Sequence, residues 1–300
     1  MTVALEPLVD DGALLKRLQS TYLAFCVHAL DGDSGRFRNF MAYDRRWLEP
    51  FGSEDAHGRA LWCLGHAAAR ASDPGVRELA RELCTTAEPA VFGFTSPRAW
   101  AYSGLGFLST GRSGPAREMA ARLVALFRRC AEPDWVWFEP VAAYANARLP
   151  EFLIRLGHEL RDGEALDAGL RALRWLTKAQ SRDGVFCPIG NAGFYPRGGD
   201  PALFDQQPIE AAAQVSACLA AHAATGDEEW AEEARKAFDW FTGDNLLWTP
   251  IADVGSGGCR DGLGPDGPNE NQGAESTLSY VTSLAAMLAE AKRPVVRKIA

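Results

Sequence analysis

Helical segments in this chain are joined alternately by very short turns and by long loops, and that alternation limits the folds open to it more than any single motif. Apolar periodicity with capping residues predicts helices over about 11–30, 54–71, 74–83, 97–110, 115–130, 144–160, 164–180, 208–225, 228–242 and 273–291. Ser72-Asp73, Gly111-Arg112-Ser113-Gly114, Arg161-Asp162-Gly163 and Gly226-Asp227 are tight turns, whereas 31–53, 84–96, 131–143, 181–207 and 243–272 are much longer. A short connection folds two helices back on each other as an antiparallel hairpin. If hairpins follow one another around a ring, the short turns share one rim and the long loops the other. Helices that follow long loops are rich in small apolar residues, as in Ala211-Ala212-Ala213-Gln214-Val215, which suits burial on most sides. Those that follow short turns carry charged stripes, as in Glu228-Glu229-Trp230-Ala231-Glu232-Glu233, and suit an outer layer. The expected fold is all-α, an α/α toroid of about five to six helical hairpins, as one domain over 1–300. An α-solenoid is the competing architecture, but its strong internal repeats are missing. No segment reads as a strand.

Composition narrows the partners. A chain of 300 residues, 47% of them hydrophobic, can bury a full core. Its formal charge of -8 disfavours nucleic acid and anionic membrane surfaces, which need a basic footprint, and favours a neutral or weakly charged ligand. The seven cysteines are odd in number, widely spaced and set in apolar helical patterns, so they read as small buried hydrophobes in a reducing compartment. With no CxxC and no clustered histidines, no metal and no organic cofactor is expected. The N-terminal residues show neither a basic n-region nor an apolar h-region, and no apolar run is long enough to insert in a bilayer, so a cytoplasmic protein is expected.

Inner helices begin where long loops end, so in a toroid their N-termini, with unpaired amides and positive dipole ends, face one rim. The best-marked of these starts is Phe204-Asp205-Gln206-Gln207-Pro208-Ile209-Glu210, where Pro208 suits the first helical position, Gln207 the cap and Glu210 the first turn. The same rim is expected to gather Asp44, Trp47, Asp55, His57, Arg59, Glu139, Tyr144, Arg148, Asn271 and Glu275. Carboxylates supply acid and base for glycosidic cleavage, aromatic faces stack on sugar rings, and amides bond hydroxyls. First-turn acids also serve as plain dipole partners, and that reading is taken for Glu54. Trp135 and Trp137 can equally plug the bundle floor. No GxSxG elbow or P-loop exists, and 261–270 lacks the ligand spacing of an EF-hand.

Five stretches, Tyr43-Asp44-Arg45-Arg46-Trp47, Ser53 to Arg59, Gln180 to Phe186, Phe204 to Glu210 and Asn271 to Thr277, resemble a bacterial six-hairpin glycosidase-like domain. Such domains are found joined to, or labelled as, family 1/4-type glycosyltransferases. The resemblance spans most of the chain and implies an α/α toroid, carbohydrate chemistry and a glycosyltransferase partner. The chain itself shows no alternating strands or Gly-rich strand-to-helix turn of a nucleotide-sugar transferase. Epimerase-like members of that superfamily use paired histidines on inner helices, whereas here only His57 falls on the rim.

The resulting expectation is an inverting glycoside hydrolase or related glycan-processing enzyme. Asp55, Glu139, Asp205 and Glu210 form the pool for acid and base. Asp44, Trp47, His57, Arg59, Tyr144, Arg148, Gln207, Asn271 and Glu275 are the candidates for binding an oligosaccharide. The alternative is a non-catalytic glycan-binding or scaffold domain associated with a glycosyltransferase, which needs no facing pair of acids. A terpenoid-cyclase-like toroid is the weaker third option, because its chemistry wants an apolar aromatic-lined pocket.

Overall fold

Polar residues placed just before apolar runs start the helices much where the sequence predicts. Asp11 Oδ1 accepts the Leu14 N–H at 2.9 Å and Ser53 Oγ the Ala56 N–H at 3.0 Å, each satisfying a donor that the helix leaves unpaired. Asp73, Ser96 and Asp227 cap three further helices, and Pro74, Pro97 and Pro208 occupy first positions. Gly226 and Gly243 end two helices in the left-handed conformation, at φ 69° and 116°. The computed structural model describes residues 1–292, so residues 293–300 of the domain expected over 1–300 lie outside the described residues.

The chain divides into two compact units, 1–139 with 148–172, and 140–147 with 173 onward. The first holds α1 (Thr2–Leu5), α2 (Gly12–Ala29), a small hairpin of β1 (Leu30–Asp31) and β2 (Arg36–Phe37), α3 (Glu54–Arg70), α4 (Pro74–Val91), α5 (Pro97–Ser109) and α6 (Ser113–Cys130). It also holds α7 (Arg148–Leu160) and the first part of α8 (Gly163–Ala179). Helices α3 and α5 pack backbone to backbone. A Cβ on Gly65 would lie 2.5 Å from the Gly106 carbonyl oxygen, and one on Gly58 3.0 Å from that of Ala99. Only glycine permits that approach. Tyr102, Leu105 and Phe107 of α5 are buried with Leu61 and Leu64 of α3, each worth about 1.5–3 kcal/mol of transfer free energy. Helix α4 covers α3, and α6 covers α5, with their charged faces outward.

The second unit contains the end of α8, α9 (Pro208–Thr225), α10 (Glu228–Thr242) and α11 (Ala274–Ala291). Its core joins Ala211, Ala212 and Val215 of α9 to Ala237, Trp240 and Phe241 of α10 and Tyr280 of α11. The loops carry short antiparallel pairs: β3 (Val141–Ala142) with β6 (Tyr195–Pro196), β4 (Ser181–Arg182) with β5 (Val185–Phe186), β7 (Ala252–Asp253) with β8 (Gly258–Cys259), and β9 (Leu263–Gly264) with β10 (Gly267–Pro268).

Three details differ from the sequence prediction. The ten two-residue strands among the described residues and α1 were not expected, and they are too short for a periodicity argument to register. Helix α4 runs to Val91 instead of ending near 83, because Pro89 lies in its last turn and Ala87 before it and Val91 after it are fully buried. The connection to α5 is therefore short, and the alternation of loop lengths fails at that point. Helix α7 starts at Arg148 and not at Tyr144, since Ala145 takes φ 45° and breaks the helical path.

Candidate functional site

In the first unit, α3, α5 and α7 each present polar and aromatic residues at helical spacing. Asp55, Arg59 and Trp62 fall at i, i+4 and i+7 on α3, one face of the helix. Arg59 Nε donates to Asp55 Oδ2 at 2.7 Å, and its guanidinium carbon sits 4.9 Å from the Tyr102 ring centroid. Tyr102 on α5 meets Trp62 at 5.6 Å between centroids. Arg148, the first residue of α7, places its guanidinium carbon 4.6 Å from the Trp62 ring centroid. Its Nη1 donates to Glu151 Oε2 at 2.5 Å, and Arg155 Nε donates to Glu151 Oε1 at 2.9 Å. The result is a continuous stripe from Asp55 through Arg59, Tyr102, Trp62 and Arg148 to Glu151.

Glu139 joins α5 by another route. Arg98, one turn before Tyr102, donates to Glu139 Oε2 at 2.6 Å, while Trp135 Nε1 donates to the Glu139 backbone carbonyl at 2.8 Å. Arg98 is buried and Glu139 half-buried. Trp47 packs at 6.1 Å from Phe25 and 5.2 Å from His28, with the Arg38 guanidinium 5.7 Å from its ring. Asp44 is exposed and bonded to Arg46, which holds its carboxyl below the usual range.

His57 lies in the core, not at a solvent-facing rim. Its Nδ1 accepts the Phe37 N–H at 3.3 Å and its Nε2 donates to the Ala87 carbonyl at 3.1 Å, which fixes the neutral tautomer. Burial between the Phe37 and Phe94 rings depresses its pKa to about 4.

The second unit groups a different set. Glu210, buried in the first turn of α9, accepts from three donors: the Ala145 N–H, the Asn146 N–H at 3.2 Å and Asn146 Nδ2 at 3.1 Å. Asp205 is exposed and holds φ 55°, a left-handed conformation that an aspartate tolerates better than most residues. Gln206 beside it is buried and accepts from Trp240 Nε1 at 2.7 Å. Gln207 caps α9 by position, without a side-chain cap bond. Asn271 Nδ2 donates to Asp261 Oδ2 at 2.5 Å, and with Ser276 and the Gly273 N–H it holds the Asp261 carboxyl below its usual range. Glu275 is exposed in the first turn of α11, and Tyr144 is exposed in the loop before α7.

Thus Asp55, Arg59 and Arg148 join one stripe, Glu139 pairs with Arg98, Glu210 serves the 145–146 backbone, and His57 belongs to the core. Trp62, Tyr102, Glu151 and Arg155 were missed by the sequence reading. Trp62 was findable, because it follows Asp55 and Arg59 at i+7 and i+3 on one face. Among the described residues no three His, Cys, Asp or Glu side chains are grouped to hold a metal ion. Burial pushes the thiols of Cys26 and Cys187 up to about 11 and those of Cys84 and Cys259 up to about 12, which argues against a thiolate nucleophile. No described helix is long and apolar enough to cross a membrane.

No family model and no curated protein sequence matches the chain. Solved structures do match. A GH76 α-mannanase from Bacteroides thetaiotaomicron superposes with a TM-score of 0.65 at 12% identity, over 97% of this chain and 81% of that one. A D-mannose isomerase gives 0.67 at 13% identity, over 95% of this chain and 83% of the other. An unsaturated glucuronyl hydrolase specific for heparin gives 0.53 at 15% identity, over 75% of this chain. The match spans 65% of that hydrolase, just under two thirds of its length. At such identities the likeness carries the fold: this chain has the all-α, six-hairpin glycosidase-like α/α toroid fold.

Proposed function

We propose that this protein is a glycan-processing enzyme of the glycoside-hydrolase type. The observation that carries the reading is the stripe on α3, α5 and α7, where a half-buried carboxylate, guanidinium groups and indole and phenol faces stand together. Those are the side-chain classes a sugar site requires. The names of the similar structures, a mannanase, a mannose isomerase and a glucuronyl hydrolase, support the same substrate class.

Asp55 and Glu139, each paired with an arginine, form the acid and base pool of the first unit, and the exposed Asp205 is a candidate acid in the second. An inverting mechanism asks Asp55 and Glu139 to face a scissile bond across about 6.5–9.5 Å, one protonating the leaving oxygen and the other activating water. Arg59, Arg148 and Trp62 bind the sugar, with the buried Tyr102 backing Trp62; Trp47 and Asp44 in the first unit, and Tyr144, Gln207, Asn271 and Glu275 in the second, are further candidates for glycan contact. Glu210 and His57 are better suited to support, Glu210 holding the 145–146 turn and His57 bridging β2 and α4. A glycosyltransferase partner gains no support from the similar structures.

The test is an oligosaccharide panel, mannans included, with detection of new reducing ends. Wild-type protein is expected to turn over at least one member, and Asp55→Asn, Glu139→Gln or Asp205→Asn to lower that rate by about two to four orders of magnitude in two of the three cases. Tight binding of a glycan without turnover would instead identify a glycan-binding module, and full activity in all three variants would remove this pool.

A further inference from the structure

We infer that two copies of this chain pair through an apolar patch on the first unit, formed by the outward face of α2 and a projecting arm at 40–48. The inference goes beyond the glycan-processing reading and does not depend on it. The arm is an antiparallel ribbon: the Leu48 N–H donates to the Phe40 carbonyl at 3.0 Å, the Ala42 N–H to that of Arg46 at 2.8 Å, and Arg45 turns the chain at φ 67°. Met41 bridges Trp47, so these two side chains share one face and Phe40 and Leu48 take the other. Trp47 packs on Phe25 and His28 of α2, at 6.1 and 5.2 Å between ring centroids, which gives the arm its inner face. Phe40 and Leu48 on the outer face are 60% and 62% exposed, and Tyr43 at the tip is fully exposed. Tyr22 and Phe25, one turn apart on α2, and Phe51 after the arm expose about half of their surface each.

Five aromatic rings and Leu48 therefore stand in water within 22–51, joined through Trp47. An aromatic side chain can bury about 150–250 Å², so at these exposures the six present on the order of 600–800 Å². The largest apolar patch on a typical monomer is about 300–600 Å², whereas each partner of a standard interface contributes about 800 Å². The patch matches one side of a protein interface and exceeds what a monomer ordinarily leaves open. Its charge selects a second copy as the occupant. The chain carries a formal charge of -8, but between residues 9 and 51 six basic side chains balance six acidic ones. Two such surfaces meet without net repulsion, although the rest of the molecule repels its copy. In a two-fold arrangement each patch faces its own image, so ring meets ring and every contact off the axis is made twice.

Sedimentation equilibrium of the full chain over a range of concentrations tests it. Interfaces of standard size have dissociation constants of micromolar or below, so wild-type protein should be dimeric at about 10 µM. Phe40→Ser with Leu48→Ser and, separately, Tyr22→Ser with Phe25→Ser should each weaken the dimer at least about 100-fold, because each loss counts twice in a symmetric pair. All four side chains are half exposed or more, so urea unfolding of each variant should stay close to that of wild type, and where one pair disturbs the fold the other still decides. A wild-type monomer at up to about 100 µM, well above the range of such interfaces, overturns the proposal. Loss of glycan binding by the same variants would then give the patch to the glycan. A dimer that persists in both double variants also overturns it, because the copies then meet through another surface. The glycan-processing reading stands or falls separately, on turnover across the oligosaccharide panel.

Discussion

Glu210→Gln separates support from chemistry at the start of α9. The carboxylate receives three donors, the Ala145 N–H on Oε1 and both the Asn146 N–H and Asn146 Nδ2 on Oε2. An ionised carboxylate only accepts, whereas an amide offers one accepting oxygen and one NH2. If the amide nitrogen stands at the Oε1 position it faces the Ala145 donor, and if at the Oε2 position it faces both Asn146 donors. At least one buried donor is then unmade, at about 1–3 kcal/mol, and the bonds that survive lose the assistance of charge. The sum is about 2–4 kcal/mol, a large part of the 5–15 kcal/mol that typically separates folded from unfolded protein. Urea unfolding of wild type and Glu210→Gln should show that loss, and limited proteolysis should show new cleavage within 143–148, where the donors lie. If Glu210→Gln unfolds within about 0.5 kcal/mol of wild type and yet loses 100-fold or more in glycan turnover, the supporting role is wrong and Glu210 is a reacting group.

Acid should weaken the fold through His57. Its pKa of about 4 in the folded protein lies below the unfolded value of 6.5, so the unfolded chain takes up the proton first; the contribution is complete above pH 6.5 and is lost as pH falls toward 4. The gap corresponds to about 3 kcal/mol, and His57→Gln should flatten the pH dependence of urea unfolding by about that amount between pH 6.5 and 4. His66, depressed to about 4 by burial, leaves a residual slope of the same sign in that variant. Gly65→Ala should destabilise by about 1–2 kcal/mol, because its Cβ would stand 2.5 Å from the Gly106 oxygen and 2.7 Å from the Gly106 Cα, and overpacking outweighs the gain in helix propensity. Gly114→Ala in α6, where nothing lies within 4 Å of the new Cβ, is the matched control and should be neutral or slightly stabilising.

What the sequence disclosed and what it hid follow from the range of the interactions involved. Every predicted helical segment is a helix, since caps such as Ser53 and Asp73 and terminators such as Gly226 and Gly243 act within a few residues of where they stand. The end of α4 was hidden because a proline in a last turn breaks a helix only when burial does not hold it, and Ala87 and Val91 are fully buried. Asp55 and His57 were grouped together because both follow the same cap. Two residues along an α-helix are about 200° apart, however, so when Asp55 faces Arg59 at the surface, His57 must face inward. Glu210 shows the complementary limit. Its first-turn position is visible in sequence, but what it does is set by donors 64 and 65 residues away, brought to it by a left-handed Ala145 that no local pattern announces. First-turn carboxylates are therefore best sorted by whether the fold completes their hydrogen bonding. Glu210, buried and bonded to the 145–146 backbone, has the weakest claim to proton transfer in the pool, while Asp55 and Glu139, each paired with an arginine and partly open to solvent, have the strongest.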